Sequence, residues 1–177
     1  MKLTLKKRTV ENAPKGHVRV RLTETKDAKR FVREGNVETL ELSVGKFSEL
    51  NRRKFITLCR SIIRAAKANK IKNIALQAQV IPSLKREAPE ELAQLAAENF
   101  EMANFEFNIF KTKPKEGFAN VENVLLYGMF SVAMERAVRK GQEVGKAVNA
   151  CRALANTPGG DMTPTTLSKA AKKAVRG

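Results

Sequence analysis

The sequence predicts an α/β domain in which a mixed sheet carries helices on both faces, followed by one more helix at the C-terminal end. Short segments that alternate apolar and polar residues recur along the chain, and amphipathic helical segments separate them. The chain has 177 residues, of which 42% are hydrophobic. A chain of this length buries about 70% of its unfolded surface, so one well-packed domain is expected. We divide it into a basic arm at residues 1–16, the α/β domain at 17–156, and a turn with a helix at 157–177.

The first third of the chain predicts two strands. Residues 1–15 are polar and basic, which is typical of a flexible arm or a short edge strand. Residues 18–22 and 37–42 alternate apolar and polar side chains, as half-buried strands do. The charged segment at residues 23–34 lies between them and has little pattern, so we expect a loop or a short helix there.

The middle of the chain predicts a strand–helix–strand unit. A helix should begin at Ser48 or Asn51 and end near Asn69, and residues 71–80 should form a buried strand closed by Pro82. Pro89 then begins a second helix with acidic residues in its first turn. One face of the first helix is apolar through residues at helical spacing, namely Phe55, Leu58, Cys59, Ile62 and Ala66.

The last third predicts one strand and two helices. Residues 121–127 form the strand, and residues 130–155 form the longest helix, in which Gly141 and Gly145 indicate close packing against another backbone. Thr163 before Pro164 predicts an N-cap and the start of the final helix. Cys59 and Cys151 both fall on apolar helical faces, so both are expected to be buried.

The charge of the chain favours acidic partners. Lys and Arg number 34 against 18 Asp and Glu, which gives a net charge of +16 and a pI of about 10.2. Such an excess favours a nucleic acid, an acidic membrane surface or an acidic protein, and charge alone does not choose among them. No apolar run approaches the roughly 20 residues that cross a bilayer, and no signal peptide is present, so we predict a cytoplasmic protein without membrane contact.

The residue types for catalysis are sparse. His17 is the only histidine, no Gly-x-Ser-x-Gly motif occurs, and the two cysteines are far apart in the sequence. We therefore expect no catalytic residue and no metal site in this chain. The turn at residues 43–46 lies between a predicted strand and helix and could hold an anion, although turn formation alone explains Gly45.

The best candidate for binding is a line of cations on the first predicted helix. Spacings of seven, four and three residues place them on one narrow stripe, and the two arginines of the first predicted strand add charge of the same sign. The alternative is an ordinary solvated helix face. With no Trp and a single Tyr, binding should be directed at the nucleic-acid backbone rather than at stacked bases. The candidate residues are Arg53, Arg60, Arg64 and Lys67 on the helix, with Arg19 and Arg21 on the strand.

The junction near the C-terminal end carries a family resemblance. Its sequence is Leu154-Ala-Asn156-Thr157-Pro158-Gly159-Gly160-Asp161-Met162-Thr163-Pro164. It resembles the segment that joins the two domains of the leucyl (cytosol) aminopeptidase family. Upstream, the order of strand, Gly45-Lys46 turn, helix and strand is similar to that of the family, so the resemblance spans residues 37–175.

The resemblance implies a macro-domain-like fold that is noncatalytic in the family, with residues 157–177 as interdomain turn and linker helix. It also implies two divalent metals in a C-terminal catalytic domain that is absent here, because none of that domain's motifs occurs in this sequence. The implied partners are that catalytic domain and sister subunits of a hexamer, and the implied role is assembly or regulation of an enzyme that removes N-terminal amino acids from peptides. The alternative is a standalone basic module that binds RNA or DNA backbones.

Overall fold

Six strands and four α-helices lie within residues 1–25, 29–78 and 87–176, the parts of the chain that the computed structural model describes. Two one-turn 3-10 helices, Val10–Asn12 and Phe47–Glu49, complete the elements of these ranges. The strands are β1 (Lys2–Lys6), β2 (Val18–Thr23), β3 (Lys29–Glu34), β4 (Val37–Ser43), β5 (Asn73–Gln77) and β6 (Asn123–Tyr127). The helices are α1 (Arg52–Ala68), α2 (Pro89–Asn104), α3 (Val132–Asn156) and α4 (Pro164–Arg176).

The strands form one mixed sheet in the order β1-β6-β5-β2-β4-β3. All neighbouring pairs are parallel except β3 and β4, which are antiparallel. Two successive crossovers, β4 to β5 through α1 and β5 to β6 through α2, proceed in the same direction across the sheet, which places both helices on one face. The predicted α/β class with a mixed sheet is confirmed.

The main core lies between this face and helices α1 and α2. Phe55, Ile62 and Phe100 from the helices are at most 1% exposed. The strands contribute alternate residues to the same cluster, as the two-residue period of a strand requires. These strand residues are Val18, Val20, Leu22, Leu40, Leu42, Ile74, Leu76, Val124 and Leu126.

The opposite face of the sheet has a much smaller apolar cluster. Ala75, Leu125 and Tyr127 are buried there, and Val10 and Ala13 pack against them. The backbone N–H of Val10 also donates to Oε1 of Gln77 at 3.0 Å. Both faces of the sheet thus carry helices. The α-helices α1 and α2 cover the first face, whereas the opposite face carries the single-turn 3-10 helix Val10–Asn12.

Of the two structures expected for the start of the chain, a flexible arm or a short edge strand, the structure shows the edge strand. β1 pairs in parallel with β6 from Lys2 opposite Asn123 to Lys6 opposite Tyr127. The 3-10 helix and its flanking residues then cross to β2.

The segment expected to be a loop or short helix instead contains β3, so that prediction is wrong for residues 29–34. Gly35 adopts a φ of +60°, which lets the chain reverse within two residues into β4. The charged character of β3 is compatible with its place at the end of the sheet, where charged side chains discourage pairing with another chain. The Gly35-Asn36 pair is a common two-residue hairpin turn, so it could have indicated this hairpin from the sequence. Residues 79–82, where a strand end and Pro82 were expected, lie outside the described ranges.

Helix α3 packs on α2 through its two glycines. A Cβ atom added to Gly141 would lie 2.3 Å from the backbone oxygen of Gln94, and one added to Gly145 would lie 2.7 Å from Cβ of Glu101. The predicted close backbone packing is therefore confirmed. Val144, Val148 and Cys151, which follow Gly141 at three- and four-residue steps, are exposed instead. The expectation that Cys151 is buried is wrong.

Glu101 on α2 faces α3 and is only 9% exposed. Burial raises the pKa of this carboxyl above its ordinary value of 4.5, and the ammonium group of Met1 and Lys146 oppose the rise. The folded chain therefore binds the proton more tightly than the unfolded chain, and stability falls as the pH rises from 4.5 through the raised pKa.

Glu101→Gln should therefore stabilise the chain at pH 7, with a gain that disappears below pH 4.5, the ordinary pKa. The measurement is the urea midpoint of both proteins across this pH range. Glu122→Gln is the matched control, because the Glu122 side chain is 55% exposed and only pairs with Lys72 at the surface. A lower midpoint for Glu101→Gln at pH 7 would contradict the expected cost of the buried carboxylate.

The C-terminal junction follows its prediction. Helix α3 ends at Asn156, and α4 begins at Pro164. The Thr163 side chain accepts a hydrogen bond from the backbone N–H of Thr166 at 3.2 Å, which is the geometry of an N-cap.

Candidate nucleic-acid interface

Helix α1 presents Arg53 and Arg64 to solvent. The helix begins where Oδ1 of its N-cap residue, Asn51, accepts the backbone N–H of Lys54 at 2.9 Å, and both arginine side chains are exposed. Among the described residues, no acid forms an ion pair with either arginine. These two members of the predicted stripe are available to phosphate groups.

The other two members of the stripe have intramolecular partners. Arg60 donates from Nε to Oδ1 of Asn99 at 2.8 Å, and Asn99 on α2 is only 1% exposed. Lys67 Nζ lies 2.6 Å from Oε1 of Glu106, and this hydrogen bond is the main reason why the pKa of Glu106 is lowered. These cations therefore hold α1 against α2 and the segment after it.

The two arginines of β2 lie apart from α1. Their neighbours Val18 and Val20 point into the core beneath α1, so Arg19 and Arg21 project from the opposite face of the sheet. Arg19 donates to the backbone oxygen of Glu11 at 2.9 Å, and Arg21 pairs with Glu41 at 3.1 Å. The six predicted residues thus form two separate groups, and one continuous surface containing all six is not formed.

A groove at the start of α1 adds cations that the stripe did not include. It has a volume of about 590 Å³, and its walls include Arg53, Lys46 and Lys54 beside the turn around Gly45. Gly45 has a φ of +67°, as expected for a glycine that forms the turn. Glu49 lies near both lysines, at 3.8 Å from Lys46 and 3.4 Å from Lys54, so the groove keeps a cationic excess.

The first turn of α1 is electrostatically unusual. It contains Arg52, Arg53 and Lys54 and no acidic residue, although the positive end of a helix dipole favours acids. Arg52 is compensated by Glu87 at 2.7 Å. A local conflict of this kind is typical of a binding surface rather than of a residue choice made for stability.

The described residues lack both a candidate metal site and a candidate membrane-spanning helix. They contain no cluster of three or more His, Cys, Asp or Glu side chains placed to hold a metal ion. None of the helices in these ranges combines the length and the apolar character needed to cross a membrane.

The family model and the curated relatives that match this chain name the same family of proteins. Residues 40–114 match the model of the cytosol aminopeptidase family, N-terminal domain. A probable cytosol aminopeptidase of Rippkaea orientalis is 26% identical over 132 residues, which is 75% of this chain and 26% of the relative. One of Roseiflexus castenholzii is 31% identical over 97 residues, which is 53% of this chain and 20% of the relative. The chain thus spans about a quarter or less of the curated relatives it matches.

Solved structures show the same fold. A tomato leucine aminopeptidase variant superposes with a TM-score of 0.78 at 18% identity, covering 98% of this chain and 41% of that one. The bottromycin maturation enzyme BotP has a TM-score of 0.67 at 17% identity, covering 90% of this chain and 37% of that one. These comparisons agree with the family resemblance of the sequence, and the family match itself covers residues 40–114. Over residues 40–114 the chain therefore resembles the N-terminal domain of the cytosol aminopeptidase family, and its fold is that of these two solved structures.

Proposed function

We propose that this domain is the noncatalytic N-terminal part of a leucyl-aminopeptidase-like metallopeptidase and acts in its assembly or regulation. The observation that carries the proposal is the match of residues 40–114 to the N-terminal domain of the family. The two curated relatives extend well beyond the matched region, since the chain spans 26% and 20% of them. The removal of N-terminal amino acids would then belong to a C-terminal catalytic domain, where two divalent metals would activate water. The relatives' name, cytosol aminopeptidase, supports a cytoplasmic location.

Helix α4 supports a role in assembly. Its apolar side is unburied, with Leu167 49% exposed and Val175 88% exposed. A helix of 13 residues is marginal in water without a packing partner. We propose that α4 packs in the assembled enzyme against its own catalytic domain or a sister subunit of a hexamer.

The mass of the native protein tests this proposal. A denaturing immunoblot of the source cells, with an antibody against this domain, should detect a product much heavier than 19.7 kDa. The purified 177-residue chain with added zinc or manganese should not cleave a leucine anilide. A native product of 19.7 kDa, or cleavage by this chain alone, would contradict the proposal.

A second candidate function is binding to the backbone of RNA or DNA. It is favoured by the exposed Arg53 and Arg64, by the first turn of α1, which contains three cations and no acidic residue, and by the net charge of +16. Both arginines lie on the same helix, 11 residues apart, which is about 16 Å along its axis. That separation suits two or three phosphates of one strand.

Charge reversal tests the second candidate. Binding to a DNA duplex should weaken with salt, with a log–log slope near −0.9 for each phosphate contacted. The double change Arg53→Glu and Arg64→Glu should reduce both the affinity and this slope, as measured by fluorescence anisotropy.

The matched control is Arg136→Glu with Arg139→Glu, which makes the same charge change on exposed positions of α3. An equal loss of affinity in both double variants would indicate net charge rather than a site on α1. Retained affinity in the α1 variant would mean that another face binds.

A further inference from the structure

A tight turn after α2 exposes two neighbouring apolar side chains. The backbone N–H of Lys111 donates to the oxygen of Asn108 at 3.0 Å and closes the turn. Ile109 is 73% exposed and Phe110 is 58% exposed at its tip. Exposed apolar side chains of this size, placed side by side and surrounded by polar residues, mark an interaction surface.

The turn continues into a cationic segment. Lys111, Lys113 and Lys115 are all exposed, and no ion pair involving them is found among the described residues. A second turn follows, in which the N–H of Gly117 donates to the oxygen of Pro114 at 2.9 Å. The segment therefore places an aromatic ring next to three positive charges.

This segment is joined to the end of α1 at two points. Lys67 pairs with Glu106 at 2.6 Å before the turn, and Lys70 pairs with Glu116 after it. Arg64, which is exposed, lies one helical turn before Lys67. The cations of α1 and those of the loop are consequently neighbours.

We propose that the loop at residues 108–117 and the adjoining end of α1 form a binding site for a single-stranded polynucleotide. A base stacks on the exposed ring of Phe110, which Phe107 supports from a centroid distance of 5.9 Å and an interplanar angle of 53°. Arg64, Lys111 and Lys113 bind phosphates on either side of that base. The low aromatic content of the sequence argued against stacking of several bases, but the exposed ring of Phe110 offers a stacking surface for one base. This inference rests on the second candidate function, nucleic-acid binding.

The arrangement of the charges favours a linear polyanion over a membrane. The exposed Arg53 and Arg64 lie 11 residues apart, which is about 16 Å along α1, and the lysines of the loop extend the charge beyond the end of the helix. A polynucleotide can follow such a line. A membrane would contact mainly the cations around Ile109 and Phe110.

Tryptophan fluorescence tests the stacking directly. The chain has no Trp, so Phe110→Trp introduces a single reporter at the tip. Oligothymidylate should quench its fluorescence, and the quenching should reverse with salt. Phe31→Trp is the matched control, because Phe31 is 44% exposed on strand β3 at the edge of the sheet. No quenching of Phe110→Trp, or equal quenching of both variants, would overturn the proposal.

Two further measurements separate this inference from the function on which it rests. Phe110→Ala should lower the affinity for oligothymidylate about tenfold and leave duplex binding unchanged. If duplex and single strand both bind and Phe110→Ala alters neither, the inference fails while the second candidate function stands; if no polynucleotide binds, both fail. A blue shift of Phe110→Trp with vesicles of phosphatidylcholine and phosphatidylserine, without any response to oligothymidylate, would overturn the proposal in favour of a membrane surface.

Discussion

Replacing Gly141 with alanine should lower the free energy of unfolding by about 2 kcal/mol. The new methyl group would lie 2.3 Å from the backbone oxygen of Gln94 and 2.9 Å from Cβ of Ala97. A backbone atom cannot move aside as the end of a flexible side chain can, so α2 and α3 must separate. That separation outweighs the gain of about 1 kcal/mol that alanine brings to a helix interior.

Urea unfolding followed by far-UV circular dichroism measures this effect. Gly160→Ala is the matched control, because a Cβ atom there meets nothing within 4 Å. Its unfolding free energy should stay within about 0.5 kcal/mol of the parent. Equal midpoints for Gly141→Ala and the parent would contradict the close contact between the two helices.

The helix ends and the glycine contact could be predicted because their causes are local. Asn51 and Thr163 cap their helices through hydrogen bonds to residues three positions later, and such short-range chemistry is visible in a sequence. The two glycines of α3 lie four residues apart, which indicated a contact face even before its partner was known. The partner itself, α2, required the structure.

What the sequence could not show depends on contacts between distant residues. Asn99 lies 39 positions from Arg60, and Glu106 lies 39 positions from Lys67. The helical spacing of the α1 residues alone could therefore not show that either cation has a partner. β3 was missed because its charged residues fit an edge strand, a position that is defined only by the finished sheet. The exposure of Phe110 also required the structure, because a phenylalanine is more often buried than exposed.

The two cysteines should differ in reactivity toward a thiol reagent by at least about a thousandfold. Cys59 lies on the buried face of α1 and is 0% exposed, and burial raises the pKa of its thiol, which removes the reactive thiolate. Cys151 is exposed on α3. The native chain should therefore release one equivalent of the chromophore of Ellman's reagent quickly and the second only as it unfolds.

Cys151→Ser isolates the slow thiol and connects the two predictions. In this variant the labelling rate of Cys59 follows the population of the open chain, provided that closing is faster than labelling. Adding Gly141→Ala should then raise that rate about 30-fold, because 1.4 kcal/mol corresponds to a factor of ten. Adding Gly160→Ala should leave it unchanged. The contrary outcome is that Gly141→Ala loosens only α3, without raising the population of the globally unfolded chain. Cys59 would then label at the parent rate, and the contact between α2 and α3 would not be part of the cooperative core.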